Sequence, residues 1–301
     1  MQSEGGVRNW DDMRVFLAVA RAQGLSAAAP TLKMDPATVS RRIARLEAEL
    51  GAALFVKSPQ GYALTDQGAR MRDRATEAEA ALALAADEGQ GAGGGLTGQV
   101  RIGAPDGCAN YVLPQVCAAL QADNPDLEIQ ILALPRVVNL SRREADMAIT
   151  VSPPAAGRLT VQRITAYGLH LAAHRDTARR ITSRDDLTGR PVVGYIPDMI
   201  FDKELDYLGE LARDGVQLAS NSVAVQAQLL RAGGGVGIVH DFALPFVPGL
   251  VRVLVDEISL SRSFFLVRHA SDRRSDRLNR LAVALAGGIR AEVARLERLV
   301  A

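Results

Sequence analysis

"MDPATVSRRIARLEAELGAALF", residues 34–55, has the signals of a helix with both ends marked. Asp35 can accept from the first unbonded N–H groups, and Pro36 at the first helical position gives up no donor that is needed there. Val39, Ile43, Leu46 and Leu50 follow at spacings of four, three and four, one apolar stripe, and Gly51 ends the run. Off the stripe stand Thr38, Ser40, Arg41, Arg42 and Arg45, while Glu47 and Glu49 lie toward the far end. The cations and hydroxyls therefore crowd the first half of the helix.

The flanks say what such a helix can do. Before it, residues 11–22 place Met13, Phe16, Leu17 and Ala20 on one face, Gly24 is the expected stop, and Ser26 is the expected cap of a short second helix, "SAAAPTLK". A tight turn at Lys33 and Met34 completes a helix-turn-helix layout. After Gly51, "LFVK", "SPQG" and "YAL" read as two short strands about a turn, a wing. A helix of this size fits the major groove of DNA, and Arg can grip guanine through two bonds. A solvated basic face on a small helical bundle explains the same periodicity.

The whole chain sets wider limits. It has 301 residues, 48% hydrophobic and 23% charged, with 35 basic and 34 acidic side chains and a net charge of +1. Nothing global points to a polyanion, so any electrostatic partner must be read locally. No run of about 18 apolar residues and no basic-then-apolar leader occur, which argues against a membrane span or secretion and for a cytoplasmic protein. Cys108 and Cys117 are too few for a disulfide framework. On a single helix they would lie roughly 13 Å apart, too far to bridge.

The texture changes at "EGQGAGGGLTG", residues 88–98, which reads as a flexible hinge; no strand precedes it and no Gly-Lys-Ser/Thr follows, against a phosphate-binding loop. Beyond it, "QVRIGA", "LEIQILA", "DMAITV", "LHLAA" and "PVVGYI" alternate with helical stretches at 111–122 and 223–232. That rhythm predicts a mainly parallel sheet covered by helices. Ahead of the hinge, Thr65 can cap a helix over 66–88. There Met71, Ala75, Ala78, Leu82 and Ala85 form a coiled-coil seam of about two heptads.

About sixty consecutive residues, with "SAAA", "ATVSRRIARLEAELG", "LF" and "YALTDQG" in order, closely resemble the winged helix-turn-helix region of LysR-type transcriptional regulators. The resemblance implies base-facing positions at Pro36, Ala37, Ser40 and Arg41 and backbone contacts at Arg42 and Lys57, with Ser26 and Thr38 completing the DNA-side set. It makes 66–88 a dimerisation helix, so two recognition helices would lie about 34 Å apart, or a multiple of that, on a near-palindromic site. The chain departs from the family at Pro30, Lys57 and Gln60, where a helix former, Arg and Arg are common.

"PRVVNLSRREADMAI", "ASNSVAVQAQLLRAGGGVGIV" and "SRSFFLVRH" look like the effector-binding domain of the same family, which is similar to periplasmic binding proteins. The fold class implied is α/β: a winged helix-turn-helix domain (8–65), a linker helix (66–88), a glycine-rich hinge (89–98) and a two-lobed effector domain (96–301). Lobe one would comprise 96–164 and 268–301, and lobe two 165–267. A small-molecule effector would lie between the lobes, near strand ends and helix N-termini. The candidates are Asp106, Gly107, Cys108, Asn110, Thr150, Tyr195, Asp198 and Asn221, each of which also has a plain capping or turn explanation. Where the family often carries a hydroxyl pair this loop has Asp106, and Thr150 stands where a basic residue is common. An extra carboxylate would repel an anion, yet anionic and other effectors both stay open.

No cofactor or metal is expected. Double-stranded DNA, an effector and further copies of the chain, as a dimer or tetramer, are the expected partners. The rivals are a hydrolase or a solute-binding α/β protein with a helical extension. Gly-x-Ser-x-Gly, His-Glu-x-x-His and dinucleotide turns are missing. His170 and His174 share a strand face without a third ligand, and His240-Asp241 could be a catalytic pair, with a helix cap or a cleft contact favoured.

Overall fold

The computed structural model describes residues 9–58, 61–88, 95–133, 140, 144–213 and 215–300. Its contacts divide the chain into two compact units that meet in sequence at Gly89 and Gln90.

The first unit opens with α1 (Trp10–Ala22), capped by Asn9, whose side chain accepts from the Asp11 N–H. Gln23, not Gly24, takes the left-handed conformation that ends it (φ 54°), so Gly24 is left to serve as the N-cap position of α2 (Leu25–Leu32). Ser26 thus lies inside α2 and caps nothing, a correction to the expectation. Lys33 (φ 52°) makes the turn into α3 (Pro36–Leu50). Asp35 caps α3 by accepting from Thr38 N–H at 2.8 Å, and Gly51 (φ 63°) closes it. Val39, Ile43 and Leu46 are buried as their spacing predicts.

The wing is β1 (Phe55–Ser58) paired antiparallel with β2 (Gly61–Leu64). It is tied to α3 by Glu47, whose carboxylate accepts from Leu54 N–H at 2.7 Å and Phe55 N–H at 3.1 Å. Phe55 packs between Phe16 and Tyr62, with ring centroids at 5.3 and 5.8 Å. Thr65 caps α4 (Asp66–Glu88), accepting from Gly68 N–H at 2.9 Å. A Cβ on Gly68 would lie 2.0 Å from the Leu54 carbonyl oxygen, so only glycine lets α4 approach the wing root this closely. The expected seam on α4 is divided. Ala75 is buried in the first unit's own core with Met71 packed beside it, whereas Leu82 is 53% exposed. Ala85's side chain lies outside the described residues.

The second unit is in place by residue 96, where the expected effector domain and the end of the expected hinge overlap. Residues 89–94 lie outside the described residues, but Leu96 is already a buried core residue whose N–H donates to Asn124 at 2.7 Å. There follow β3 (Gly98–Ala104), α5 (Asp106–Tyr111), α6 (Leu113–Asp123), β4 (Leu127–Ala133), β5 (Met147–Thr150), β6 (Leu159–His174), α7 (Arg175–Ala178), β7 (Val193–Gly194), β8 (Leu218–Ala219), α8 (Val223–Arg231), β9 (Val236–His240), β10 (Leu250–Arg252), β11 (Ser259–His269) and α9 (Asp276–Arg298). One sheet runs β10-β6-β11-β5-β3-β4, with β9 also on β6.

This sheet is mixed, not mainly parallel. Only β4-β3-β5 is parallel; β5-β11, β11-β6, β6-β9 and β6-β10 are all antiparallel. The reason is β6, 16 residues long, which returns beside β11 and carries the sheet from one lobe into the other. Their register slips between Phe264 and Phe265, where Phe264 faces Thr165 and Phe265 faces Arg163. "PVVGYI" yields only the two-residue β7, which pairs with β8 while Val192 bridges to Val236. The expected helix over 111–122 is broken at Val112, so Cys108 and Cys117 lie on separate helices, both buried and free.

Candidate nucleic-acid interface and effector cleft

On α3, Pro36, Ala37, Ser40 and Arg41 are exposed and Thr38 is half-buried beneath the Asp35 cap. Those Thr38 bonds hold the Asp35 carboxyl below its ordinary range. Arg41 makes no hydrogen bond or ion pair among the described residues. Its neighbours are different. Arg45 grips Asp12 with two bonds of 2.6 Å, and Arg42 reaches the same carboxylate at 3.4 Å and Asp11 at 3.8 Å.

Asp12 is fully buried, on the α1 face that also buries Phe16 and Val19. A carboxylate there requires cations, and α3 supplies them. The basic face is thus two sets: Arg42 and Arg45 hold α3 on α1, and Arg41 points away unengaged. The expectation for Arg42 did not include this internal role. The signal was present, since Asp12 falls in the apolar stripe of α1. Ser26 is exposed on α2. Lys57 lies in β1 opposite Tyr62, its side chain outside the described residues, as is Gln60 at the wing tip.

In the second unit the cleft candidates separate. Asp106 opens α5 and reaches α8, distant in sequence: its Oδ2 accepts from the Ser222 hydroxyl at 3.0 Å and the Ala224 N–H at 3.2 Å, at the N-terminus of α8. Oδ1 accepts from Asn110 at 3.0 Å. Ser222, not Asn221, caps α8, accepting from Val225 N–H. Gly107 faces His240 and Val223, and a Cβ on it would meet them at 3.6 and 3.7 Å. Cys108 is buried behind it, and burial pushes its thiol well above the ordinary range, Cys117 to about 11.

A second bridge lies at the end of β5. Thr150 donates to the Ser152 carbonyl at 2.7 Å, and the Ser152 hydroxyl donates to Asp202 of lobe two. Tyr195 is buried, its phenol pushed up by burial and next by Asp106, and its ring packs edge-on to Tyr207 at 6.0 Å. Asp198 is exposed on a 3-10 turn, Pro197–Met199, and joins neither bridge.

Sequence reasoning offered His240 as a cap or cleft contact and Ser222 with Asn221 as a helix start, and it missed Tyr207. His240 is 5% exposed, between Tyr167 and Phe242 (ring centroids 5.5 and 5.0 Å). Among the described residues its Nδ1 is buried with no hydrogen-bond partner, and the Tyr207 hydroxyl is buried beside the Tyr195 phenol. Desolvation pushes the His240 imidazole down to about 4, so it is neutral near pH 7. Tyr207 also lines a cavity of about 650 Å³ in the second unit, edged by Arg184, Arg190 and Glu257.

Asp241 turns away from His240. It pairs with His170 Nδ1 at 2.8 Å and Arg252 at 3.4 Å, so the two adjacent residues do not form a catalytic pair. His174 meets Asp176 at 3.5 Å instead of sharing a ligand with His170. Among the described residues no group of His, Cys, Asp and Glu could hold a metal, and no helix is long and apolar enough to cross a membrane.

Comparison with known proteins agrees with this two-unit plan. Residues 10–69 match the family described as bacterial regulatory helix-turn-helix protein, lysR family, and 93–288 match the LysR substrate binding domain. The Mau operon transcriptional activator of Paracoccus denitrificans is 26% identical over 271 residues, covering 86% of this chain and 89% of its own. The regulator DgdR of Burkholderia cepacia is 29% identical over 247 residues, 78% and 79% of the two chains. DmlR of Escherichia coli is 29% identical over 154 residues, 51% of this chain and half of its own length. Among solved structures, a full-length OxyR variant from Pseudomonas aeruginosa superposes with a TM-score of 0.73 at 19% identity, covering 95% of each chain. Full-length LysG from Corynebacterium glutamicum gives 0.60 at 18% identity over 93% of this chain and 98% of that one. With both of its units matched, the first as the DNA-binding part and the second as the effector-binding part, the chain belongs to the LysR family of transcriptional regulators.

Proposed function

We propose that α3 enters the major groove with Arg41 on a guanine edge, Pro36, Ala37 and Ser40 beside it and Thr38 at the helix start, while Ser26 and Lys57 meet the phosphate backbone. The observation that carries this reading is the division of labour on α3: two arginines are bound to Asp12, and the third is exposed and unengaged among the described residues. A cation left in water on a rigid, capped helix is pre-organised for base readout. Arg42 serves the fold first, and phosphate contact is secondary for it.

The second half of α4 pairs with another copy, giving a dimer or a tetramer of such dimers. A small molecule in the interlobe cleft, bounded by Asp106, Gly107, Cys108, Asn110, Thr150, Tyr195 and the Asn221–Ser222 turn, biases that assembly by binding its two arrangements unequally. Asp198 stands at the cleft mouth in this reading. The protein works in the compartment that holds DNA, as a regulator and not as a hydrolase.

The test is retention of DNA from upstream of the protein's own gene at physiological salt. Arg41→Ala should cost about 1–3 kcal/mol on the retained site and flatten discrimination at one base pair. An equal loss on random DNA would show a phosphate contact instead.

A further inference from the structure

An open helix N-terminus between two lobes is a place for an anion, because its free N–H groups and dipole favour negative charge. In this chain the N-terminus of α8 is not open. The Asp106 carboxylate from the opposite lobe has taken the Ser222 hydroxyl and the Ala224 N–H, and its second oxygen is held by Asn110. Asp202 reaches back the other way to Ser152, so each lobe contributes one carboxylate to the junction. The guanidinium whose field reaches the Tyr167 phenol, Arg262, is already paired with Glu204 at 2.8 Å and donates to its carbonyl at 3.1 Å.

Beside Asp106, Gly107 packs on His240, and a Cβ there would lie 3.8 Å from the His240 Nδ1 that has no partner. Among the described residues, a polar group at this junction without a bond is therefore an uncharged imidazole, beside the protonated phenols of Tyr167 and Tyr207. A carboxylate entering here would find its donors occupied, two like charges in place and the guanidinium of Arg262 already engaged. A molecule that carries hydrogen-bonding groups without negative charge meets none of these penalties and can satisfy Nδ1.

We infer that Asp106 is the resident anion of the cleft, standing where an acidic ligand would bind, and that the effector is a neutral or cationic small molecule that hydrogen-bonds to His240. This rests on the proposal that the cleft is the effector site. It narrows the class of ligand from any small metabolite to one without a carboxylate aimed at α8.

Acetate and acetamide, equal in shape and different in charge, make the test. Full-length wild type and Asp106→Ala are titrated with each at constant ionic strength, read by calorimetry and by the melting of the second unit. In Asp106→Ala, acetate should bind at least about tenfold more tightly than in wild type and more tightly than acetamide, because the vacated donors now take its charge. Adding Ser222→Ala should remove most of that gain. Asp106→Ser, which suits the first turn of α5, repeats the comparison if the alanine variant folds poorly. Equal acetate affinity in wild type and variant, or no preference for acetate in the variant, would overturn the inference. Failure of the wild type to retain any DNA would instead count against the regulator reading, and it leaves the acetate comparison standing.

Discussion

Asp12 shows how one residue can hide what a helix face is for. Its carboxylate has no exposure and three guanidinium bonds, so Asp12→Ala removes the partner of Arg45 and leaves Arg42 only its longer pairing with Asp11. Both arginines can turn to water, which limits the loss to about 1–3 kcal/mol in the stability of the first unit, read by urea melting. A loss below about 0.5 kcal/mol would mean that the cluster does not hold α3 on α1. His240 sets a pH dependence of definite sign. Burial lowers its imidazole from 6.5 to about 4, so the folded chain refuses a proton that the unfolded chain takes up first. The second unit therefore keeps this contribution above about pH 6.5 and loses up to about 3 kcal/mol as pH falls to about 4. His240→Phe should flatten that part of the profile in denaturant melts at about pH 7 and about pH 4.5; an unchanged slope would assign the acid sensitivity to carboxylates.

At the scale of elements, α4 is about 35 Å long and has two customers. Met71 and Ala75 serve the winged domain, and Arg21 of α1 ties Glu79 by an ion pair, whereas Leu82 beyond that point is exposed. Leu82→Glu should weaken self-association about tenfold or more in sedimentation experiments while leaving the melting of the first unit unchanged. Unaltered association would place the dimer contact elsewhere. Helix ends were the most legible feature of the sequence. Asp35, Pro36, Gly51 and Thr65 act within a few residues of themselves, and each caps or stops as expected. Ser26 was misread because Gln23 accepts the left-handed turn that Gly24 was expected to make. That Asp12 is buried was legible from its place in the apolar stripe, but its partner Arg45, 33 residues away, and the pairing of Asp106 with Ser222, 116 apart, were not, since nothing local marks which distant group will come to meet a carboxylate. The strand run "LHLAA" was visible, but not that it is the end of a strand begun at Leu159, where polar and charged residues break the apolar signal.

For the whole molecule, the division at Gly89 and Gln90 leaves each unit with its own core. Denaturation should accordingly proceed in two steps, and a chain beginning at residue 95 should retain the second one with its midpoint nearly unchanged. A single cooperative transition in both would contradict this independence. Within the second unit the lobes are not joined by slack peptide. β6 and β11 pair from Ser259 with His170 to His269 with Leu159, so a continuous ladder of backbone bonds threads both lobes, and its one irregularity is the slip at Phe264 and Phe265. Such a ribbon behaves as a leaf spring: it permits a small twist, concentrated where the pleat is already faulted, and stores a restoring torque that a door hinge would not. An opening between the two ends of this ribbon would have to twist it, and such travel is expected to be short and to reverse without a ligand.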